Sequence, residues 1–213
     1  NISQTGPMQI GGNARLASTT GNVTLADPAN DFAGTVTASG RDITLADANG
    51  LRAVIDASGA ATLTAGGDLA VAGNAASLTT TSGGSTSFGA TTVSGDLRST
   101  AGGNISQTGP LQIGGSTQLD STGDIALAMA GNHFAGLLSA AGGNISLADD
   151  GALTLASVLA RGDLRLATQG TLTLGSTRAG GALFADSGNG DILQTGALQL
   201  GGFATLVAGL GQV

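Results

Sequence analysis

The chain has 213 residues, including 38 glycines but no cysteine, tryptophan or tyrosine, and its formal net charge is −7. The absence of cysteine excludes a disulfide framework and thiol chemistry. The seven basic residues are scattered arginines, which argues against nucleic-acid binding because that function needs a basic face. No apolar run approaches the roughly 18 residues of a membrane span, so we expect no membrane-spanning segment.

The chain opens on a motif that returns twice. Asn1–Gly12 reads NISQTGPMQIGG, and Asn104–Gly115 repeats it with one change, Leu111 in place of Met8. A looser copy, DILQTGALQLGG, occupies Asp191–Gly202. The copies start 103 and 87 residues apart. Internal similarity of this kind is typical of repeat architectures, and we expect residues 1–213 to form one segment of a longer repeat protein.

A shorter period runs inside the long one. Its signature is Gly or Arg, then Asn or Asp, then an aliphatic residue, and most steps between successive copies are 19 to 21 residues. Four steps are irregular, at 26, 28, 8 and 28 residues, and longer coils or protruding loops would both absorb them. A period of about 20 residues favours a solenoid. The Asx positions after Asn1 are Asn22, Asp42, Asp68, Asp96, Asn104, Asp124, Asn144, Asp163 and Asp191.

Within each period, apolar and polar residues alternate as they do in β-strands. Residues 145–148 read ISLA, a turn follows at 149–151, and the alternation resumes as LTLA at 153–156. The high glycine content disfavours helix. We therefore predict an all-β fold, a right-handed parallel β-helix (β-solenoid) with coils of about 20 residues stacked at about 4.8 Å.

Polar residues of the repeats are expected at the corners of the coils. The Gly-Asx pairs suit turns, because glycine is conformationally permissive and Asx side chains bond to nearby backbone. Gln4, Gln107 and Gln194 stand where other repeats have leucine. We interpret them as corner residues that bond to backbone groups, since a buried amide needs partners; a local break in the coil is the alternative.

The five phenylalanines are predicted to fill the core. A sugar-binding aromatic platform is the alternative, but it would require most of the aromatic side chains to leave the core. The five are Phe32, Phe88, Phe134, Phe184 and Phe203.

Catalytic and metal sites are weakly indicated. Asp27 and Asp47 each end an LAD triplet 20 residues apart and would stack as a carboxylate pair suited to glycoside hydrolysis or calcium. Asp149 ends a third triplet elsewhere, however, and aspartate at a turn needs no further role. His133 is the only histidine and aligns with Asp31 of the first long copy. We therefore predict no catalytic, cofactor or metal site, and no enzyme.

One short motif suggests a binding site. Arg161, Gly162 and Asp163 spell an integrin-type tripeptide, in which Asp163 would reach a metal ion of the partner from a protruding loop. The alternative is that Gly162 and Asp163 are the ordinary start of a coil. Such short motifs often match by chance.

Four segments resemble the repeats of filamentous-haemagglutinin-like exoproteins of bacterial two-partner secretion. They are GGNISQTGPLQIGG, GNISLADDGALTL, GNVTLADPANDFAGTV and DLRLATQGTLTLGS. The resemblance implies a secreted rod at the surface of a Gram-negative bacterium, exported by an outer-membrane transporter. Its partner would be a host or bacterial surface receptor or glycan. The Asn-Pro-Asn motifs of that family's secretion domain do not occur here, so the chain would belong to the shaft.

The resulting expectation is a structural shaft segment of a surface adhesin, with long repeats starting near residues 1, 104 and 191. The shaft of a contact-dependent toxin-delivery exoprotein would have the same sequence features. A polysaccharide-active β-helix enzyme is a third hypothesis. An ice-binding solenoid is a fourth, but its threonine pairs, such as Thr62 and Thr64, are not expected to form a column because they do not recur at coil spacing.

Overall fold

The computed structural model describes residues 1–209, and every regular element in that range is a β-strand. The strands alternate between two parallel sheets, each of 13 strands, so that successive coils stack on one another. Paired residues of neighbouring coils lie 17 to 22 positions apart, as in Val36 with Ala53 and Ala14 with Val36. This confirms the predicted parallel β-solenoid. No helix in residues 1–209 is long and apolar enough to cross a membrane.

Sheet 1 begins with the strand that contains Ile2. Its strands are Ile2–Ser3, Val23–Leu25, Ile43–Asp47, Ala60–Ala65, Ser77–Ser82, Leu97–Ala101, Thr117–Ser121, Leu137–Gly142, Leu153–Ala160, Leu172–Leu174, Ser176–Ala179, Ile192–Gln194 and Leu198–Leu200.

Sheet 2 forms the other side of the coils. Its strands are Ala14–Ala17, Thr35–Gly40, Leu51–Ala57, Leu69–Ala75, Thr86–Val93, Ile105–Gln107, Leu111–Ile113, Ile125–Leu127, His133–Phe134, Ile145–Asp149, Leu164–Thr168, Leu183–Asp186 and Ala204–Val207. A separate two-stranded pair joins Gln9–Ile10 to Asp31–Phe32.

The core lies between the two sheets and follows from the alternation in sequence. In Leu51–Ala57 every second side chain is buried and the others are exposed. Because the coils stack in register, the inward positions form columns of identical or similar side chains, such as Ile105, Ile125 and Ile145. Each fully buried Leu or Ile contributes about 1.5–3 kcal/mol relative to an exposed one, so the columns supply most of the favourable free energy of folding.

The irregular steps of the short repeat are neither longer coils nor protruding loops. Successive copies of the signature change sheets at these steps. Asp42 precedes a strand of sheet 1, and Asp68 precedes a strand of sheet 2. Asp96 then precedes a strand of sheet 1, and Asn104 precedes a strand of sheet 2. The 26- and 28-residue steps are therefore one and a half coils, and the 8-residue step is half a coil. The sequence unit is a half-coil that either sheet accepts.

The long copies consequently alternate between the sheets. Ile2 lies in sheet 1, its counterpart Ile105 in sheet 2, and Ile192 of the third copy in sheet 1. Five and a half coils separate the first two copies, and four and a half separate the second from the third. Any feature that the long repeat encodes is thus presented on opposite sides of the solenoid in consecutive copies.

Polar side chains interrupt the core of sheet 1. Thr80 and Ser99 are buried and share a hydrogen bond of 2.8 Å between their hydroxyl groups. Thr117 is also buried, packed in register between Leu97 and Leu138. Its Oγ1 makes no hydrogen bond with any residue of 1–209, and a buried hydroxyl without a partner costs stability.

Replacing Thr117 by the isosteric valine is expected to raise the free energy of unfolding by about 1 kcal/mol, because the hydroxyl that lacks a partner is removed. Thr80→Val is the matched control, and we expect it to lower stability because it deprives Ser99 of its partner. Urea denaturation followed by circular dichroism measures both. Destabilisation by Thr117→Val would contradict this account of the core.

Candidate functional site

Each of the first two long copies builds a buried polar network at a corner of the solenoid, the first at the end of sheet 1 strands and the second at the end of sheet 2 strands. Each network joins a glutamine, an asparagine and an aspartate from three successive coils. The side chains of both asparagines are fully buried. The two sets are Gln4, Asn30 and Asp47, and Gln107, Asn132 and Asp149.

The asparagine is the centre of each network. Asn132 Nδ2 donates to Leu127 O at 3.1 Å and to Gln107 Oε1 at 2.8 Å. Its Oδ1 accepts from Leu111 N at 3.0 Å and from Gln107 Nε2 at 2.7 Å. Asn30 repeats the arrangement with Gln4. Reciprocal amide bonds of this kind satisfy the buried groups fully, which is the condition for polar burial to be tolerated.

The predicted corner role of the glutamines is confirmed. Gln4 Nε2 donates to Gly6 O at 2.7 Å, and Gln107 Nε2 donates to Gly109 O at 2.7 Å. Gln194 makes the same contact with Gly196 at 3.0 Å. Each glutamine thus closes the turn that carries its own QTG segment.

The aspartates of the LAD triplets bind backbone amides. Asp47 Oδ2 accepts from Phe32 N at 2.7 Å and its Oδ1 from Asn49 N at 2.7 Å. Asp27, one coil earlier, accepts from Ala29 N at 2.9 Å. Both carboxylate oxygens of Asp47 are therefore bonded to backbone amides at the corner. Asp47 thus stabilises a turn and does not form a carboxylate pair with Asp27.

A histidine and two aspartates meet at the second corner. His133 Nδ1 lies 2.9 Å from Asp150 Oδ1, and one ligand atom each of His133, Asp149 and Asp150 lies within 4.8 Å of the others. Sequence reasoning missed this cluster because it looked for a second histidine. Asp149 already accepts from Phe134 N at 2.6 Å and from Gly151 N at 2.7 Å. Backbone amides thus engage both oxygens of Asp149, and His133 pairs with Asp150.

Burial raises the pKa of Asp149 above its ordinary value of 3.8. The amides of Phe134 and Gly151 and the nearby His133 oppose the rise, whereas the carboxylate of Asp150 adds to it. Desolvation disfavours the charged form of a carboxyl group, and here it outweighs the hydrogen bonds that favour it. The folded chain therefore binds this proton more readily than the unfolded chain does.

A second corner feature is a ladder of Asx side chains that links each coil to the next. Asn104 Oδ1 accepts from the backbone N of Asp124 at 2.9 Å, and Asp124 Oδ1 accepts from the backbone N of Asn144 at 2.7 Å. Asn144 Oδ1 then accepts from Asp163 N at 2.9 Å, and Asp163 Oδ1 from Ala182 N at 2.8 Å. The Gly-Asx pairs thus bind across coils as well as forming turns.

The integrin-type tripeptide lies in this ladder. Arg161, Gly162 and Asp163 are the whole connection between the strands Leu153–Ala160 and Leu164–Thr168. Arg161 Nη2 donates to the carbonyls of residues 121 and 122 at 2.9 and 2.7 Å, two coils back. A Cβ at position 162 would collide with Oδ1 of Asn144. The structure thus places the tripeptide in a short turn that is bonded on both sides.

The prediction that all phenylalanines fill the core is correct for three of them and wrong for two. Phe32, Phe88 and Phe134 are buried. Phe203 is 62% exposed, and Phe184 is half-buried on the outer face of sheet 2. Their rings meet edge to face with centroids 5.3 Å apart. Both side chains occupy outward positions of the alternation, which local hydrophobicity does not reveal.

The ring of Phe184 borders a small cleft. Arg165, from the preceding coil, lies over Phe184 with its guanidinium carbon 5.7 Å from the ring centroid. The cleft has a volume of about 230 Å³, and Asp186 and Val207 also line it. A larger cleft of about 560 Å³ surrounds Arg52 and Asp68 on the same face, but no aromatic residue lines it.

Threonine columns do form, contrary to the expectation from the sequence. They lie on the outer face of sheet 1, where strand register aligns residues whose spacing varies between 17 and 20. Only two adjacent coils carry a complete Thr-x-Thr pair, and the columns end at Arg98 and Asp120. This array is too short to favour ice binding over the shaft hypothesis. The columns are Thr24, Thr44, Thr62 and Thr79, and Thr64, Thr81 and Thr100.

A family of repeats of unknown function, DUF5649, matches residues 1–39, 73–141 and 162–213. The chain belongs to this family. Two DUF5649 segments contain the glutamine and asparagine of a corner network, and the third contains Gln194, Phe184 and Phe203. Comparisons with curated proteins and with solved structures give no match.

Asn132→Ala is expected to lower the free energy of unfolding by about 3 kcal/mol, because it leaves several buried backbone and amide groups without partners. Asn144→Ala is the matched control, since it removes an exposed ladder residue and should cost only about 1 kcal/mol. Urea midpoints give the comparison. Equal losses would contradict the central role of the buried asparagine.

Asp149 gives a pH-dependent prediction. Since its pKa is raised in the folded chain, the folded state takes up the proton before the unfolded state as the pH falls, and this stabilises the fold. Wild type should therefore gain stability relative to Asp149→Asn between neutral pH and the ordinary value of 3.8. Paired urea titrations at several pH values measure the difference. A relative loss of stability over that range would contradict the raised pKa.

Proposed function

We propose that this chain is a structural shaft segment of a secreted, filamentous-haemagglutinin-like adhesin on the surface of a Gram-negative bacterium. The resemblance of four repeat segments to that class of exoprotein supports the proposal. In this role the segment provides length and stiffness, and it carries the adhesive parts of a longer chain away from the membrane. It performs no catalysis.

The observation that carries the proposal is the way polar corner side chains join one coil to the next. Asn104, Asp124, Asn144 and Asp163 each accept an amide from the following coil. Each coil of a solenoid contacts only its neighbours, so its stiffness depends on such nearest-neighbour bonds. A chain that devotes these side chains to stacking is suited to a shaft.

The candidate for receptor binding that the sequence suggests, the tripeptide Arg161–Asp163, has its charged side chains bonded within the stack. An integrin-type contact would have to break these bonds. We therefore propose that receptor or glycan binding by the parent protein uses other surfaces, and that export uses an outer-membrane transporter that recognises a separate secretion domain.

The shaft of a contact-dependent toxin-delivery exoprotein remains the alternative, because a shaft needs the same stack whatever it carries. A polysaccharide-active enzyme is less well supported. Asp47 and Asp149 use both carboxylate oxygens for backbone amides, and such groups are poorly placed to act as acid and base.

Surface display can be tested on the source cells. Antibodies against residues 1–213 are expected to label intact cells, and external protease should remove the signal. An antibody against a periplasmic protein is the control for membrane integrity. Labelling that appears only after permeabilisation would contradict the proposal.

The flanking reading frame provides an independent test of the same proposal. We expect an amino-terminal secretion domain followed by many further half-coil repeats, and the carboxyl-terminal domain distinguishes an adhesin from a toxin stalk. A short reading frame without such repeats would contradict the shaft role.

A further inference from the structure

The corner of the second long copy carries a cluster of side chains that the first copy lacks, here called the histidine corner. It consists of His133, Asp149 and Asp150. The first copy keeps the buried aspartate, as Asp47, but has Asp31 in place of the histidine and Ala48 in place of the second aspartate. Binding of the backbone amides at the corner therefore explains the shared aspartate and leaves the imidazole and the second carboxylate without a role.

The three side chains of the histidine corner come from two stacked coils. Asp150 N donates to Asn132 O at 2.8 Å, so the coil that contains the two aspartates lies directly on the coil that contains His133. His133 Nδ1 lies 2.9 Å from Asp150 Oδ1, and one ligand atom each of His133, Asp149 and Asp150 lies within 4.8 Å of the others. A cation bound by all three would join the two coils.

The second copy also leaves open space beside these ligand atoms. Gly151 stands where the first copy has Asn49. A Cβ atom at position 151 would lie 3.5 Å from Asp149 Oδ1 and 3.9 Å from His133 Nδ1, and apart from the neighbours of Gly151 in the chain these two residues supply the nearest atoms. The glycine thus leaves unfilled a position that a carboxylate oxygen and an imidazole nitrogen both border.

The donor set indicates the kind of cation. Asp149 is only 2% exposed, and buried charges in proteins are paired or coordinate metals. Its amide bonds do not prevent ligation, because a carboxylate oxygen has a second lone pair and carboxylates that bind metals are usually hydrogen-bonded as well. Calcium and magnesium prefer oxygen ligands alone, whereas zinc accepts imidazole nitrogen together with carboxylate oxygen.

We propose that the histidine corner binds one zinc ion through His133 Nδ1, Asp149 Oδ1 and Asp150 Oδ1, with water as the fourth ligand. Nδ1 is free to bind when the proton of the neutral imidazole is on Nε2. Zinc bonds of about 2.0–2.1 Å place tetrahedral ligand atoms roughly 3.3 Å apart. The side chains of His133 and Asp150 are 45% and 48% exposed, so they can move by the small amount required. The site follows from local geometry and does not depend on the shaft proposal.

The composition of the chain allows a direct test. His133 is the only histidine and cysteine is absent, so the 213-residue chain without an affinity tag has no other imidazole or thiol ligand. Isothermal titration calorimetry with zinc chloride at neutral pH should show saturable binding of one ion per chain. Zinc should also shift the imidazole NMR signals of His133 and raise the urea midpoint, because it binds the folded chain preferentially. Calcium chloride should produce neither effect.

Variants assign the binding to the histidine corner. Loss of a second-shell partner already weakens metal binding roughly 10–100-fold, so His133→Gln and Asp150→Ala are each expected to cost at least that much. Asp150→Ala restores the residue type of the first copy and should leave the fold intact. Asp31→Asn, at the position equivalent to His133, is the matched control and should leave zinc binding unchanged. Circular dichroism verifies the fold of each variant.

The first copy offers a gain-of-function test. Its Asp47 already has the two amide bonds of Asp149. The triple change Asp31→His, Ala48→Asp and Asn49→Gly reproduces the residues of the histidine corner around it. We expect the triple variant to bind two zinc ions per chain instead of one.

Three results would overturn the proposal. The first is the absence of saturable zinc binding up to millimolar concentrations. The second is undiminished binding by His133→Gln, which would assign the ion to scattered carboxylates. The third is equally tight binding of calcium, which would show that the imidazole is not a ligand. None of these results bears on surface display, so the two proposals fail separately.

Discussion

The structure depends on the requirement that the backbone be hydrogen-bonded at the corners of the solenoid, where strands end and the chain turns. Parallel strands satisfy one another along the two sheets, but the turns between them leave amides that need acceptors. Asx oxygens of the preceding coil meet that need, as Asn144 Oδ1 does for the amide of Asp163. The buried network around Asn132 solves the same problem on a larger scale, across three coils.

This requirement explains why the sequence is richer in Asn, Asp and Gly at fixed positions than the core alone would demand. The side chain must reach the next coil, and the glycine before it must leave room for the oxygen that arrives from the previous coil. At Gly162 a single methyl group would collide with Asn144. Because both sheets present the same corner geometry, a half-coil suffices as the repeating unit, and the long copies can alternate between sheets.

Much of the fold could be predicted from the sequence, because the period and the alternation determine it. Ile145, Leu147 and Leu153 point inward as their spacing indicates. The assignment of half-coils to sheets could not be predicted, since Asp42 and Asp68 have the same local pattern on opposite sides. The placement of side chains outside the core could not be predicted either. The neighbours of Phe203 and Thr79 are set by the register between coils, which the local sequence does not reveal. The cluster of His133 with Asp149 and Asp150 depends on it too.

The same requirement separates positions that serve the fold from positions free for function. A polar corner residue that binds the next coil, such as Asp163, is already engaged, and its sequence motif carries little information about partners. Asn13 is engaged in the same way, because its Oδ1 accepts from Thr35 N of the next coil. In a repeat protein of this kind, a polar motif at a corner is therefore explained by stacking between coils before any partner is invoked.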